Sequence, residues 1–381
     1  MMTLTATIFP DALGQPESQL KIGDQCMHPT LAPPNERGFT ILEMMVAVTV
    51  MLVVTGAIFA LMRDSLKITT ATYEMTDAQE SLRVAQEYIN RDLMNSGDGL
   101  KSISTIRVPQ TFVTNYLTLS PITDTSMPAG VLNLGILVSD HNVPGTTTVL
   151  GANPATTVRD KTDRQTILEI DPDPANTPIA LPATPTPAID STGTYITVSS
   201  ADITKFAVGE IYFLSSALGG TFGTIRSINA ASYQLNFSNS DTYGLNLTGS
   251  SGHIKTISAG GTIPTSLVRM KIIHYYVNAS GLLMRRVFGV KGAGFSESII
   301  AEHVMNVQFN YALDMTDANG NVVQPVAMLS TPQQRLAVRQ IEVTVTVETP
   351  HTLQNGSRQQ ISMTTTTSVR NMQFRRALQP S

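Results

Sequence analysis

The sequence predicts an α+β fold: a long N-terminal α-helix, hydrophobic in its first half and amphipathic in its second, packed on an antiparallel β-sheet head with an inserted β subdomain. Three observations predict it. An uncharged run from Met44 to Met62 follows Glu43, and no proline occurs between Phe39 and Arg107, so one helix can pass through both halves without a break. Apolar residues beyond the run recur at spacings of three and four. The rest of the chain is made of short runs rich in β-branched and aromatic residues, bounded by Gly, Asn, Asp or Ser.

The apolar segment, Phe39 to Met62, has the dimensions of a membrane span. Its 24 residues make about 36 Å of helix at 1.5 Å per residue, against a hydrocarbon core of about 30 Å. Glu43 is its only charge. A charge within a membrane helix costs about 2.5–3.5 kcal/mol on insertion scales, so it marks a functional position with a partner. Gly56 is the one weak helix former in the run, where local unwinding is easiest. Arg37 before the run, and Arg63, Asp64 and Lys67 after it, are too balanced to fix orientation. A secretory signal peptide needs an apolar region of about 7–15 residues ending in a small-x-small cleavage site. This run is longer, and Thr69-Thr70-Ala71 lies well past it. A plain anchor explains the length but not Glu43.

Residues 1–38 contain Pro10, Pro16, Pro29, Pro33 and Pro34, show no apolar periodicity, and read as a leader that is removed, with Met27 as an alternative start. The only cysteine, Cys26, is in this leader, so the remainder has no thiol and no disulfide, which suits an extracytoplasmic protein folded without staples.

Residues 63–97 continue the helix. Met75, Ala78, Leu82, Ala85 and Ile89, extended by Leu93, form one buried stripe, while Glu74, Asp77, Glu80, Arg83, Glu87, Asn90 and Arg91 fill the other faces. Ser96-Gly97-Asp98-Gly99 supplies stop chemistry, giving one helix of roughly 55–58 residues.

Residues 98–381 are expected to form the β-rich head. Strands are predicted at 164–170, 195–199, 209–214, 221–228 and 233–237, then at 268–277, 282–288, 304–313, 339–348 and 362–374. The run 339–348 alternates, with Ile341, Val343, Val345 and Val347 on one face and Gln340, Glu342, Thr344 and Thr346 on the other, as a half-buried antiparallel strand does. Asn278-Ala279-Ser280-Gly281 reads as a hairpin, and Asn319-Gly320 as a two-residue turn. The Pro-rich stretch 171–190 is expected as a surface loop. The stretch 125–154 is rich in turn formers, with room for a strand at 131–138. Length alone suggests two domains; one enlarged head with a β insert at about 195–255 is expected instead.

The octapeptide Glu36-Arg37-Gly38-Phe39-Thr40-Ile41-Leu42-Glu43 resembles the prepilin peptidase site of type IV pilins and type II secretion pseudopilins. The resemblance covers about 25 residues and implies the pilin fold. It implies cleavage between Gly38 and Phe39, N-methylation of Phe39, and a docking role for Glu43 in setting subunit register. The chemistry fits, because a cut at that bond leaves an ammonium on Phe39, one helical turn from the Glu43 carboxylate. A buried ion pair roughly offsets its own desolvation, whereas an unpaired buried charge is costly, so the pair favours register. Glu43 also lies in the first turn, where the helix dipole favours an anion.

The run YYVNASGLLMRRVFG and a closing strand ending in SVRN are similar to PilW-like minor pilins, and nearly as similar to the J-type minor pseudopilin of type II secretion. The resemblance implies a minor structural subunit and not an enzyme. Its partners would be other pilin or minor pilin subunits, prepilin peptidase, an inner-membrane assembly platform and the lipid bilayer. Before assembly it would be a single-pass inner-membrane protein with an extracytoplasmic head; afterwards it would sit in a pilus or pseudopilus, at the cell surface or in the periplasm. A pilus-tip adhesin or ligand-binding module on the same anchor is the alternative from another class.

Other constellations carry less. Asp314, Asp317, Asn319 and Asn321 are weak metal candidates, because the segment lacks the EF-hand's Asp spacing and its glutamate at the twelfth position. A hairpin turn with solvated acids is expected there, and no cofactor. The six histidines, His28, His141, His253, His274, His303 and His351, form no metal spacing. No P-loop, dinucleotide glycine pattern or nucleophile elbow occurs. The formal net charge is −4 with no basic patch, Arg375-Arg376 being a short pair, so no nucleic-acid partner is expected. The absence of tryptophan excludes a Trp-based carbohydrate platform.

Overall fold

The computed structural model describes residues 38–100, 106–117, 129–183, 188–249, 252–258, 263–292, 294–317, 320–352 and 358–369. The expected leader up to Arg37, with Cys26 and Met27, therefore lies outside the described residues, as do Asn319, Arg375, Arg376, the end of the strand expected at 362–374, and parts of the stretches at 125–154 and 171–190. The chain divides into two compact units, the first ending at Ser65 and the second beginning at Leu66. Helix α1, Ile41–Asn95, contributes residues to both and is unbroken at Gly56.

In the first unit, every described side chain of α1 is exposed. Thr49 keeps its hydroxyl satisfied within the helix by donating to the Val46 carbonyl at 2.8 Å, the way a hydroxyl survives in an apolar segment.

In the second unit, α1 buries Ala78, Leu82, Ala85, Ile89 and Leu93, the last four completely. Each large apolar side chain so removed from water stabilises by about 1.5–3 kcal/mol. Gln86 and Asp92 are buried with them, an outcome the apolar spacing did not predict. The helix stops where Gly97 and Gly99 adopt left-handed φ values of 73°, which glycine reaches without the penalty of a Cβ. The freed Gly97 amide donates to the Leu168 carbonyl at 2.9 Å.

The largest sheet has ten strands among the described residues. They are β1 (Ile106–Pro109), β2 (Val131–Leu134), β3 (Leu137–Val143), β4 (Thr162–Ile170), β5 (Ile179–Ala180), β7 (Ile211–Ser216), β8 (Gly219–Thr224), β11 (Ser266–Val277), β12 (Leu283–Val290) and β13 (Gly294–Ala301). Strand β11 is the common member. It pairs β7 over its first residues, and β4 and β12 over its second half. The hairpin from β11 to β12 is closed by Gly281, whose amide donates to the Asn278 carbonyl at 2.9 Å.

Two smaller sheets complete the unit. One orders β6 (Tyr195–Thr197), β10 (Gln234–Asn236) and β9 (Ser227–Asn229); the other orders β14 (Val304–Leu313), β15 (Val338–Glu348) and β16 (Gln360–Ser368). On β15, Ile341, Val343, Val345 and Val347 are fully buried. Two helix side chains clip β16: Gln86 donates to the Met363 carbonyl at 2.8 Å and accepts from the Thr365 hydroxyl at 2.6 Å, and Asn90 accepts from the Thr367 hydroxyl at 2.6 Å.

Several expectations need correction. The large sheet is not wholly antiparallel, because β1 runs parallel to β8, with Ile106 opposite Gly220 and Arg107 opposite Thr221. Parallel neighbours need a long crossover, and here more than a hundred residues separate the two strands, a connection no local pattern reveals. The strand expected at 221–228 is two strands: the β7–β8 ladder ends with Thr224 opposite Ile211, and β9 begins at Ser227. The stretch 195–255 is divided: β7 and β8 join the large sheet, whereas β6, β9 and β10 form their own. Strand β7 separates two cores, with Tyr212 and Leu214 in one and Ile211 and Phe213 in the other. Strands β1 and β13 were not foreseen.

Candidate membrane and assembly site

Thr40 stands just ahead of α1 and Glu43 is the third residue of its first turn. The Thr40 amide and hydroxyl both donate to Glu43 Oε2 at 3.1 Å, and the Glu43 amide donates back to the Thr40 hydroxyl oxygen at 3.3 Å. This is a reciprocal capping box, which satisfies two of the backbone N–H groups that a helix start leaves without partners. The T-x-x-E spacing was readable in the sequence, and Thr40 is the residue that reading missed.

Glu43 Oε1 has no partner among the described residues. Phe39 is 81% exposed, and Ile41, Leu42, Met44, Met45, Leu52, Phe59, Leu61 and Met62 are exposed as well. Among the described residues, a Cβ on Gly38 would meet no atom within 4 Å. Among the described residues, α1 is the one helix long and apolar enough to cross a membrane, and its apolar window is wholly unburied.

The remaining sequence candidates do not converge. The Asp314 amide donates to the Ala337 carbonyl at 2.7 Å. Asp317 accepts the Asn321 amide at 2.9 Å on its own carboxylate, closing a turn in which Gly320 has φ 83°. No group of three or more His, Cys, Asp or Glu that could hold a metal occurs among the described residues. The histidines described each have a local partner or a backbone reason. His141 lies 3.0 Å from Asp163, and His351 lies 2.7 Å from Glu74. His274 Nδ1 is 2.8 Å from the Thr166 hydroxyl, and burial, then the charges of Arg164 and Arg286, hold it well below its usual value. Burial pushes His253 down to about 4, although its Nε2 meets the Phe222 carbonyl at 3.0 Å. His303 occupies a turn with φ 55°.

A family model of the prokaryotic N-terminal methylation motif matches residues 33–59. The chain carries a type IV pilin-like methylation signal. The match takes in Gly38, Phe39, Thr40 and Glu43 and ends inside the apolar segment, so it covers a small part of the chain. The signal indicates a type IV pilin or pseudopilin-like precursor and points to a structural subunit rather than an enzyme. No curated protein and no solved structure matches the chain.

Proposed function

We propose that this chain is the precursor of a minor type IV pilin. Prepilin peptidase cuts it between Gly38 and Phe39, Phe39 becomes the methylated terminus, and the subunit waits in the inner membrane on its Phe39 to Met62 helix with its head outside the cytoplasm. It then packs into a pilus, or primes the pilus tip, beside other pilin subunits delivered by the assembly platform. One observation carries this reading: a methylation signal runs into an apolar helical segment that is wholly unburied among the described residues.

The magnitudes support it. Moving the exposed apolar side chains of this segment out of water is worth about 1.5–3 kcal/mol each. The Glu43 carboxylate costs about 2.5–3.5 kcal/mol, so the apolar term wins by a wide margin. Thr40 holds Oε2, which leaves Oε1 for a donor from outside. A neighbouring subunit's terminal ammonium is such a donor. In a hydrocarbon setting an unpaired charge is the expensive state, so Glu43 selects the axial register in which that pair forms.

Mass spectrometry of the chain purified from its native membrane tests the processing: the expected product begins at methylated Phe39, and any other start overturns the reading. A bulky charged residue in place of Gly38 blocks the cut. Glu43→Ala is expected to be cut and stable yet lost from filaments; normal assembly of that variant removes the register role from Glu43.

A further inference from the structure

The last buried turn of α1 reaches β11 and β12 through Asp92. Asp92 accepts the Tyr275 hydroxyl at 2.7 Å and Arg285 Nε at 2.6 Å, with Arg91 Nε 3.7 Å away. Tyr275 and Arg285 stand directly opposite one another in register, so they share a face of the sheet. On the same face of β11, two pleats along, Lys271 stands opposite Glu169 of β4.

That opposition does not produce an ion pair. The Lys271 ammonium goes instead to Asp171 at 2.8 Å, and Asp171 also takes Arg269 Nε at 2.7 Å. Arg285 is committed to Asp92. Every other acid here has a cationic or hydroxyl partner: Asp92, Asp171, Asp173 with Arg269 at 2.7 Å, and Glu210 with the Tyr212 hydroxyl at 2.5 Å. Glu169 is only 7% exposed and has no hydrogen bond or ion pair among the described residues. Its flanking residues hold the chain that leaves the helix, since the Leu168 carbonyl accepts from Gly97 and the Ile170 amide donates to the Asp98 carbonyl at 3.3 Å.

We propose that Glu169 is a proton-held latch for the end of α1: the neutral carboxyl keeps the helix end seated on the sheet, and its ionisation sets a second negative charge against Asp92 and loosens the seat. A buried acid with no partner stays neutral more cheaply than it ionises. The charged groups that act on Glu169 are Asp92 on α1, Lys271 on β11, Arg285 on β12, and Asp171 beyond the end of its own strand.

Burial, then the Asp92 carboxylate, pushes the Glu169 carboxyl up to about 7, with Asp171 adding to the rise and Lys271 and Arg285 opposing it. Released into water, the group returns to its ordinary value of 4.5. The seated helix end therefore binds more protons than the opened one between these two values. Seating is firmest below about pH 4.5, weakens as pH rises through about 7, and changes no further above that.

The test is hydrogen exchange at the α1 amides of Ile89 to Leu93, measured on the full chain in detergent and corrected for the intrinsic pH dependence of exchange. In the wild type the opening constant is expected to rise by up to about tenfold per pH unit between roughly pH 5 and 7, then level off. Glu169→Gln keeps the shape and removes the titration, so its profile is expected to be flat over that window. A flat wild-type profile, or a Glu169→Gln profile with the wild-type slope, overturns the proposal. If Glu169→Gln does not fold, Asp92→Asn decides with the wild type. With the neighbouring charge gone, the midpoint of the rise is expected at lower pH, and an unmoved midpoint overturns the assigned coupling.

Discussion

Thr40 determines how the Glu43 carboxylate is presented. A capping interaction of this kind is worth about 1 kcal/mol, while the carboxylate costs about 2.5–3.5 kcal/mol in a membrane helix. The intrachain bonds recover part of that cost and leave the remainder to a partner outside the chain. The same device caps the short helix Pro332–Leu336, where Thr331 and Gln334 bond reciprocally. There the setting is exposed and the cap is sufficient in itself. Asp92 is the buried counterpart, an acid whose partners are all internal. Replacing it with alanine strands Arg285 and the Tyr275 hydroxyl without an acceptor. Removing one partner of a buried pair costs about 3–5 kcal/mol, and the partial exposure of Arg285 places the expected loss for Asp92→Ala near the lower end. Denaturant unfolding of the full chain in detergent measures it; a loss below about 1 kcal/mol means that Arg285 finds another acceptor.

Within elements, periodicity was legible wherever one face is buried against a single neighbour. The stripe from Ala78 to Leu93 could be read because its spacing matches a helix. Strand β15 could be read because its buried valines alternate with exposed polar residues. Ile89→Ala is expected to cost about 2–5 kcal/mol, since the residue is fully buried in the core cluster. Tyr73→Ala, on an exposed part of the same helix, is expected to stay within about 0.5 kcal/mol. Melting of both variants checks the pair, and equal losses would mean that the wrong face had been assigned. What escaped reading has physical causes. Gln86 and Asp92 are buried because β16, Tyr275 and Arg285 supply polar partners, which apolar spacing does not register. Strand β13, with sequence GFSESIIA, has weak propensity and forms by pairing with β12. Strand β1 is short, ends at Pro109, and owes its place to neighbours distant in sequence. At the candidate site, Gly38, Phe39 and Glu43 stood out through their order beside an apolar run, whereas Thr40 was read only as part of that order and not as a cap.

At the scale of the whole molecule, the division of labour along the chain is itself testable. Among the described residues, no member of the three hydrophobic core clusters precedes Ala78. The exposed apolar side chains of α1 lie mostly before Ser65, in the first compact unit. A chain beginning at Leu66 therefore loses no core side chain and most of the surface that drives it into lipid. It also loses the Thr40 cap, which acts on the first turn, many turns away from the buried stripe. Such a chain is expected to remain soluble without detergent and to melt cooperatively within about 2–4 °C of the full-length protein, the shift that about 1 kcal/mol produces in a chain of a few hundred residues. In flotation with phospholipid vesicles the full chain is expected to rise with the lipid and the shortened chain to stay behind. An aggregated or non-cooperative shortened chain would show that the apolar segment stabilises the folded unit, and flotation of the shortened chain would show that membrane affinity resides elsewhere. The outcome bears directly on the assembly reading, because a segment that adds no side chain to the core among the described residues is available to lipid first and to neighbouring subunits afterwards.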